Sequence, residues 1–168
     1  MLDTMNDVLA HQYDASLCTL NTCIERCPAT SWDMPVVRYP FSQVVLHTLI
    51  YADMYLGRDI ESFREQPFHR ENTDFFGDYE QLQDREPVER YDRPSIRRYM
   101  THCRRKAIDV VAQETPASLA APAGFERRNF SRVELHVYNI RHIQHHAAQL
   151  ILRLRADCGV DVPWFGSG

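Results

Sequence analysis

Three of the chain's eight histidines fall within five residues, in "RHIQHHAAQL" (141–150). Histidine at this density allows metal ligation, general acid–base work, or a plain polar cluster. On a helix each residue advances about 100°, so the three do not point the same way. His145 shares an arc with Glu134 and Arg141, which reads as the wet side. His142 and His146 are one turn apart and about 40° apart around the axis, so their imidazoles can converge on one point. Spacing of i and i+4 is what a helix needs to offer two nitrogens to one ion. Two ligands rarely complete a site. His47, alone in the apolar stretch "FSQVVLHTLIYADMYL", is the candidate third. It reads either as a hydrogen-bonded core histidine or as a ligand. An uncompensated buried imidazole is costly, and a shared metal would satisfy three at once. Asn139 and Gln149 lie on the same flank and are candidates to orient imidazoles from behind. Tyr51, one turn after His47, and Tyr138 are candidate proton donors. Ile143 stands where HExxH has its glutamate, which excludes a zincin-type protease, and no GxSxG, P-loop or GxGxxG occurs.

Four helical segments must position these residues. The first spans about Thr4 to Arg26, with Leu9, Leu17, Leu20 and Ile24 at helical spacing and Pro28 ending it. The second starts near Pro40 and Ser42 and stops at Gly57, in line with proline in a first turn and glycine just past a helix end. The third runs from about Pro94 to Gln113, its stripe formed by Ile96, Tyr99, Met100, Cys103, Ala107, Val110 and Val111. The fourth is capped by Ser131, with Glu134 completing a capping box, and runs to about Cys158, closed by Gly159. On it, Val133, Val137, Ile140, Ala147, Ile151 and Leu154 share an arc expected to face the core. The polar segment 58–93, with Phe63, Phe68, Phe75, Phe76 and Tyr79, is long enough to cross the molecule between parallel helices, to act as a lid, or both. Trp32 and Trp164 are expected to fold back onto the helices. No strand pattern, repeat or low-complexity tract is visible. The expectation is one all-α domain over 1–168, a four-helix bundle with a long crossover between helices 2 and 3 and a tail at 159–168.

Composition bounds the function. With 44% hydrophobic and 25% charged residues and a net charge of −4, the chain has an ordinary globular balance and no basic footprint for nucleic acid. Lys106 is the sole lysine, and Arg104–Lys106 reads as a solvated helix face. Arg97, Arg98, Arg104 and Arg105 could instead meet an acidic partner. The opening residues lack the basic start and apolar run of a secretory signal. No stretch approaches the roughly 18 apolar residues that cross a bilayer. A cytoplasmic protein is expected. Five cysteines, an odd number with no CxxC, argue against a disulfide framework. Cys23 and Cys27, one turn apart, read as core thiols rather than soft-metal ligands.

The chain resembles the DinB superfamily, most clearly in "VVLHTLIYADMYL" and "HVYNIRHIQHHAAQL". That family's pattern has one histidine on the second helix and HxxxH on the last, commonly followed by Arg-Gly-Gln. His47, His142 and His146 match it, with Gln149 at the glutamine position and Ala147-Ala148 in place of Arg-Gly. The resemblance implies an up-down-down-up bundle, a divalent metal (zinc or nickel) on the three histidines, and a homodimer. It also implies a small-molecule substrate and a low-molecular-weight thiol. The activity expected is a metal-dependent thiol S-transfer or a hydrolysis. The alternative is a non-catalytic metal- or ligand-binding stress-response module that acts through a dimer or partner surface.

Overall fold

Four long helices dominate the computed structural model, which describes residues 2–76, 91–126 and 128–166. They are α1 (Leu2–Arg26), α2 (Phe41–Leu56), α6 (Arg93–Ala112) and α8 (Arg132–Cys158). Short helices α3 (Ile60–Glu65), α4 (Pro67–Glu71), α5 (Thr73–Phe76) and α7 (Pro116–Ala120) lie between them, so the described residues are predominantly helical.

The ends follow local chemistry. Pro40 precedes α2, and Gly57, extended at its far end, returns its N–H to the Met54 carbonyl. Asp92 caps α6 by accepting from the Ser95 N–H. Ser131 caps α8 through the Glu134 N–H at 3.4 Å, the forward half of the expected box. Gly159, at φ 62°, sits left-handed past the last turn of α8, where glycine has no Cβ to clash.

Each long helix packs on two others: α1 on α6 and α8, and α2 on the same pair. Leu9, Tyr13, Leu17, Leu20 and Ile24 bury one stripe of α1. Cys23, Cys27 and Cys103 are buried among them, where burial raises their thiol pKa values, Cys23 to about 12 and Cys27 to about 11. The α6 stripe is as expected, with Val110 at its half-buried margin.

The inward face of α8 differs from the expected arc. Val137 is 48% exposed, and the buried positions are Arg132, Leu135, His136, Asn139, Ile143, Ala147, Leu150 and Leu154. Polar side chains turn inward because each finds a partner. Arg132 donates to the carbonyls of Tyr55, Leu56 and Gly57, and Asn139 donates to the Ala52 carbonyl and the Tyr13 hydroxyl. These bonds offset the burial of the Arg132 guanidinium and of the Asn139 amide N–H groups, while Asn139 Oδ1 is buried without a partner.

Two further expectations are corrected. A two-stranded antiparallel hairpin, β1 (Pro35–Val36) and β2 (Tyr39–Pro40), precedes α2 where no strand was expected. Strands of two residues are too short for alternation to register. Trp164 is 87% exposed and does not tuck in. Trp32 does fold back, donating its indole N–H to the Tyr91 carbonyl at 2.7 Å.

The described part of segment 58–93 is anchored by its aromatics. Phe63 and Phe76 are buried, and Phe68 stacks on His102 of α6 at 4.3 Å. Tyr79 lies outside the described residues.

Candidate metal centre

Helix α2 presents His47 toward α8, which presents His142 and His146. The ring centroids lie 5.5 Å (His47–His142), 4.8 Å (His47–His146) and 4.6 Å (His142–His146) apart. One nitrogen from each lies within 4.8 Å of the others, a group able to hold a metal ion. All three are half-buried. Burial lowers the pKa of each: His47 to about 4, with His146 adding repulsion, and His142 to about 3, with His146, His47, His145 and Arg128 adding theirs. His146 is lowered by burial against the counter-pull of Gln149. The imidazoles are therefore neutral at pH 7, the form that ligates. His142 Nδ1 is buried and has no hydrogen-bond partner. An orphaned nitrogen inside a group of neutral imidazoles fits a divalent ion of borderline softness.

The flanking residues divide. Gln149 Oε1 lies 3.0 Å from His146 Nδ1, and its Nε2 lies 3.1 Å from Nε2 of the exposed His145. An amide oxygen only accepts, so His146 carries its proton on Nδ1 and keeps Nε2 for a ligand. Tyr51 packs its ring against His47 at 4.7 Å and His142 at 5.4 Å. Asn139 lies deeper, bonded to Ala52 and Tyr13, and the hydrogen bonds above do not connect it to the triad. The Tyr138 hydroxyl receives Arg128 Nη2, which also reaches the Tyr55 hydroxyl, each at 3.0 Å. A cavity of about 490 Å³ opens beside the triad, with His47, His146 and Gln149 in its wall.

Two polar clusters escaped the sequence reading. Asp53, fully buried on α2, accepts from His69 Nε2 (2.9 Å), Tyr99 OH (2.8 Å), Gln66 Nε2 (3.0 Å) and Lys106 Nζ (2.5 Å), with His102 Nε2 at 3.5 Å. Burial raises the Asp53 pKa, but the hydrogen bonds from His102 and His69 and the Lys106 charge overcome it and hold the carboxyl far below its usual range. Lys106 is thus turned inward, which corrects the expected solvated run, while Arg104 pairs with Asp14 and Arg97 with Glu25. The second cluster joins Tyr13, His136, Glu114 and Arg132, with His136 Nδ1 3.0 Å from the Tyr13 hydroxyl and Nε2 3.0 Å from Glu114. The available signals were a lone aspartate in an apolar helix and a lone lysine on the next long helix.

Fold and site together define a predominantly helical protein with a three-histidine cluster compatible with metal binding. The sequence profile of the DinB superfamily matches residues 13–150, and the chain belongs to that superfamily. No curated protein and no solved structure matches it. Among the described residues no helix is long and apolar enough to cross a membrane.

Proposed function

We propose that this DinB-superfamily protein binds one divalent ion, zinc or nickel, through His47, His142 and His146. The observation that carries the reading is the orphaned Nδ1 of His142 inside three neutral imidazoles with no carboxylate among them. When bound, such an ion supplies Lewis acidity and lowers the pKa of a thiol or water beside it. The chain's own residues prepare that chemistry. Gln149 fixes the His146 tautomer, the Tyr51 ring restrains His47 and His142, and the cavity holds a small molecule at the triad. The reaction class we assign is metal-dependent thiol S-transfer or hydrolysis.

The frame belongs to the same reading: a single domain over 1–168, an up-down-down-up bundle, with 58–93 as its crossover. Side-chain pairs support the directions. Glu25 meets Arg97 and Asp14 meets Arg104, which suits antiparallel α1 and α6. Asn139 meets Ala52, and Arg132 meets Leu56, which suits antiparallel α2 and α8. Leu49 meets Cys103 and Asp53 meets Lys106, which suits parallel α2 and α6. A cytoplasmic homodimer completes the proposal, to be checked by fractionation and light scattering.

Elemental mass spectrometry of protein purified without a histidine tag tests the site, with zinc and nickel titrations of any empty protein. About one ion per chain, lost in His142→Ala, is expected; failure to take up either metal overturns the reading. Turnover of an electrophile with a low-molecular-weight thiol, dependent on added metal, tests the transferase class. Tight metal binding without such turnover, or hydrolysis in its place, would favour the non-catalytic module or the hydrolase.

A further inference from the structure

The cavity beside the triad has a composition that selects a ligand. Its wall is built from Val36 of the hairpin, Val44 of α2 and Leu152 of α8, with two arginines, Arg38 and Arg153, and no acidic residue. About 490 Å³ lies within the range of small-molecule sites. Two buried polar atoms in this wall lack hydrogen-bond partners: Gln43 Oε1, on a side chain only 3% exposed, and Arg153 Nε. Arg153 Nη2 is held by Asp157 at 2.5 Å, while the buried Nε–H of the same guanidinium has no acceptor. Unsatisfied buried polar groups are rare, and two in one apolar pocket call for an outside partner. One is an acceptor in need of a donor, and the other a cationic donor in need of an acceptor.

Their places along the helices set the ligand's layout. Gln43 is one turn before His47 on α2, about 6 Å along the axis. Arg153 is seven residues past His146 on α8, about 10 Å along the axis. Both therefore lie at the end of the cavity away from the histidines, with Val44 on α2 and Gln149 and Leu152 on α8 between. The mouth adds apolar surface, since Leu152 is 66% exposed and Val37, at the hairpin tip, is 98% exposed. Val37 holds φ 63°, a backbone state that a β-branched residue adopts only under constraint.

We propose that the cavity binds a small, mostly apolar carboxylic acid that carries an N–H or O–H donor beside its carboxylate, as N-acylated and hydroxylated acids do. The carboxylate meets Arg153, the donor meets Gln43 Oε1, and the apolar body lies along Val36, Val44 and Leu152. The proposal rests on the metal reading only for what the far end of the ligand meets at His47 and His146.

Isothermal titration of metal-free protein with N-hexanoylglycine, octanoate and octylammonium tests it. N-hexanoylglycine is expected to bind saturably and several-fold tighter than octanoate, and octylammonium not to bind. Gln43→Leu should erase the preference between the two acids, and Arg153→Met should weaken both about tenfold. Equal affinity for the two acids overturns the donor assignment. Octylammonium binding as well as the acids, or no saturable binding by any probe, overturns the proposal as a whole. His142 does not line the cavity, so His142→Ala should abolish metal uptake yet leave N-hexanoylglycine binding within about twofold. A failure of the metal site and a failure of the ligand site are thereby read separately.

Discussion

Histidines gather in two ways in this molecule. On one side of α2, His69 and His102 close on Asp53, and elsewhere His136 closes on Glu114. On the other side of α2, His47 meets His142, His146 and the Tyr51 ring, and no carboxylate belongs to the group. His47 and Asp53 are six residues apart on one helix, which turns them toward α8 and α6 respectively. The first kind of cluster brings its own anion and is electrostatically closed. The second has donor atoms and no counter-charge, which leaves it open to a cation from outside. A carboxylate among the imidazoles thus separates a strut from a site.

The largest effect should come from removing a triad imidazole. His142→Ala or His47→Ala should weaken zinc binding by more than about 100-fold, since even a ligand's hydrogen-bond partner is worth 10–100-fold. Asp53→Asn should leave zinc binding unchanged, and competition with a chromogenic chelator measures both. Metal loss in Asp53→Asn would break the distinction between the clusters. That variant should instead lose about 3 kcal/mol of stability in urea unfolding, because Lys106 is left partly buried without its anion.

Acid should act next, through Glu114. Burial raises its pKa, but hydrogen bonds from His136, Ser118 and Arg132 lower it further, to about 2 from 4.5. A carboxyl whose folded pKa lies below its unfolded value lends stability that is complete above 4.5 and lost as pH falls toward 2. His136, lowered by burial, has the same sign, beginning below 6.5. Thermal melts from pH 6 to pH 2 should fall through this window, and Glu114→Gln should flatten the fall by about 2 kcal/mol. An unchanged slope would mean that Glu114 is not the closing anion. The smallest effect is expected for Gln149→Leu, which frees the His146 tautomer: about a tenfold loss of zinc affinity with no change in melting temperature of the metal-free protein.

Long helices and the triad were legible because local rules write them. Pro40, Gly57, Ser131 and Gly159 mark ends, and an i, i+4 pair on α8 faces one histidine on α2. Legibility failed where a polar residue's partner lies far along the chain. Arg132, His136 and Asn139 face inward only because Glu114, Tyr13 and the end of α2 await them, and hydrophobicity ranks all three outside. Val137 was placed inside by the same ranking and lies in solvent. Lys106 reads as one more charge in a basic run until Asp53, on another helix, turns it in. Gln43 gave no signal, since a single glutamine in an apolar helix reads as a tolerated polar residue.

Lys106 carries the one ε-amine in these 168 residues, and its side chain is only 17% exposed against Asp53. Reagents that acylate side-chain amines therefore find no freely exposed lysine on the folded protein. Acylation of Lys106 should be slow while its ammonium stays paired with Asp53, so its rate is a single-site clock for the loosening of that pair. The arginine-rich exterior stays silent to the same reagent.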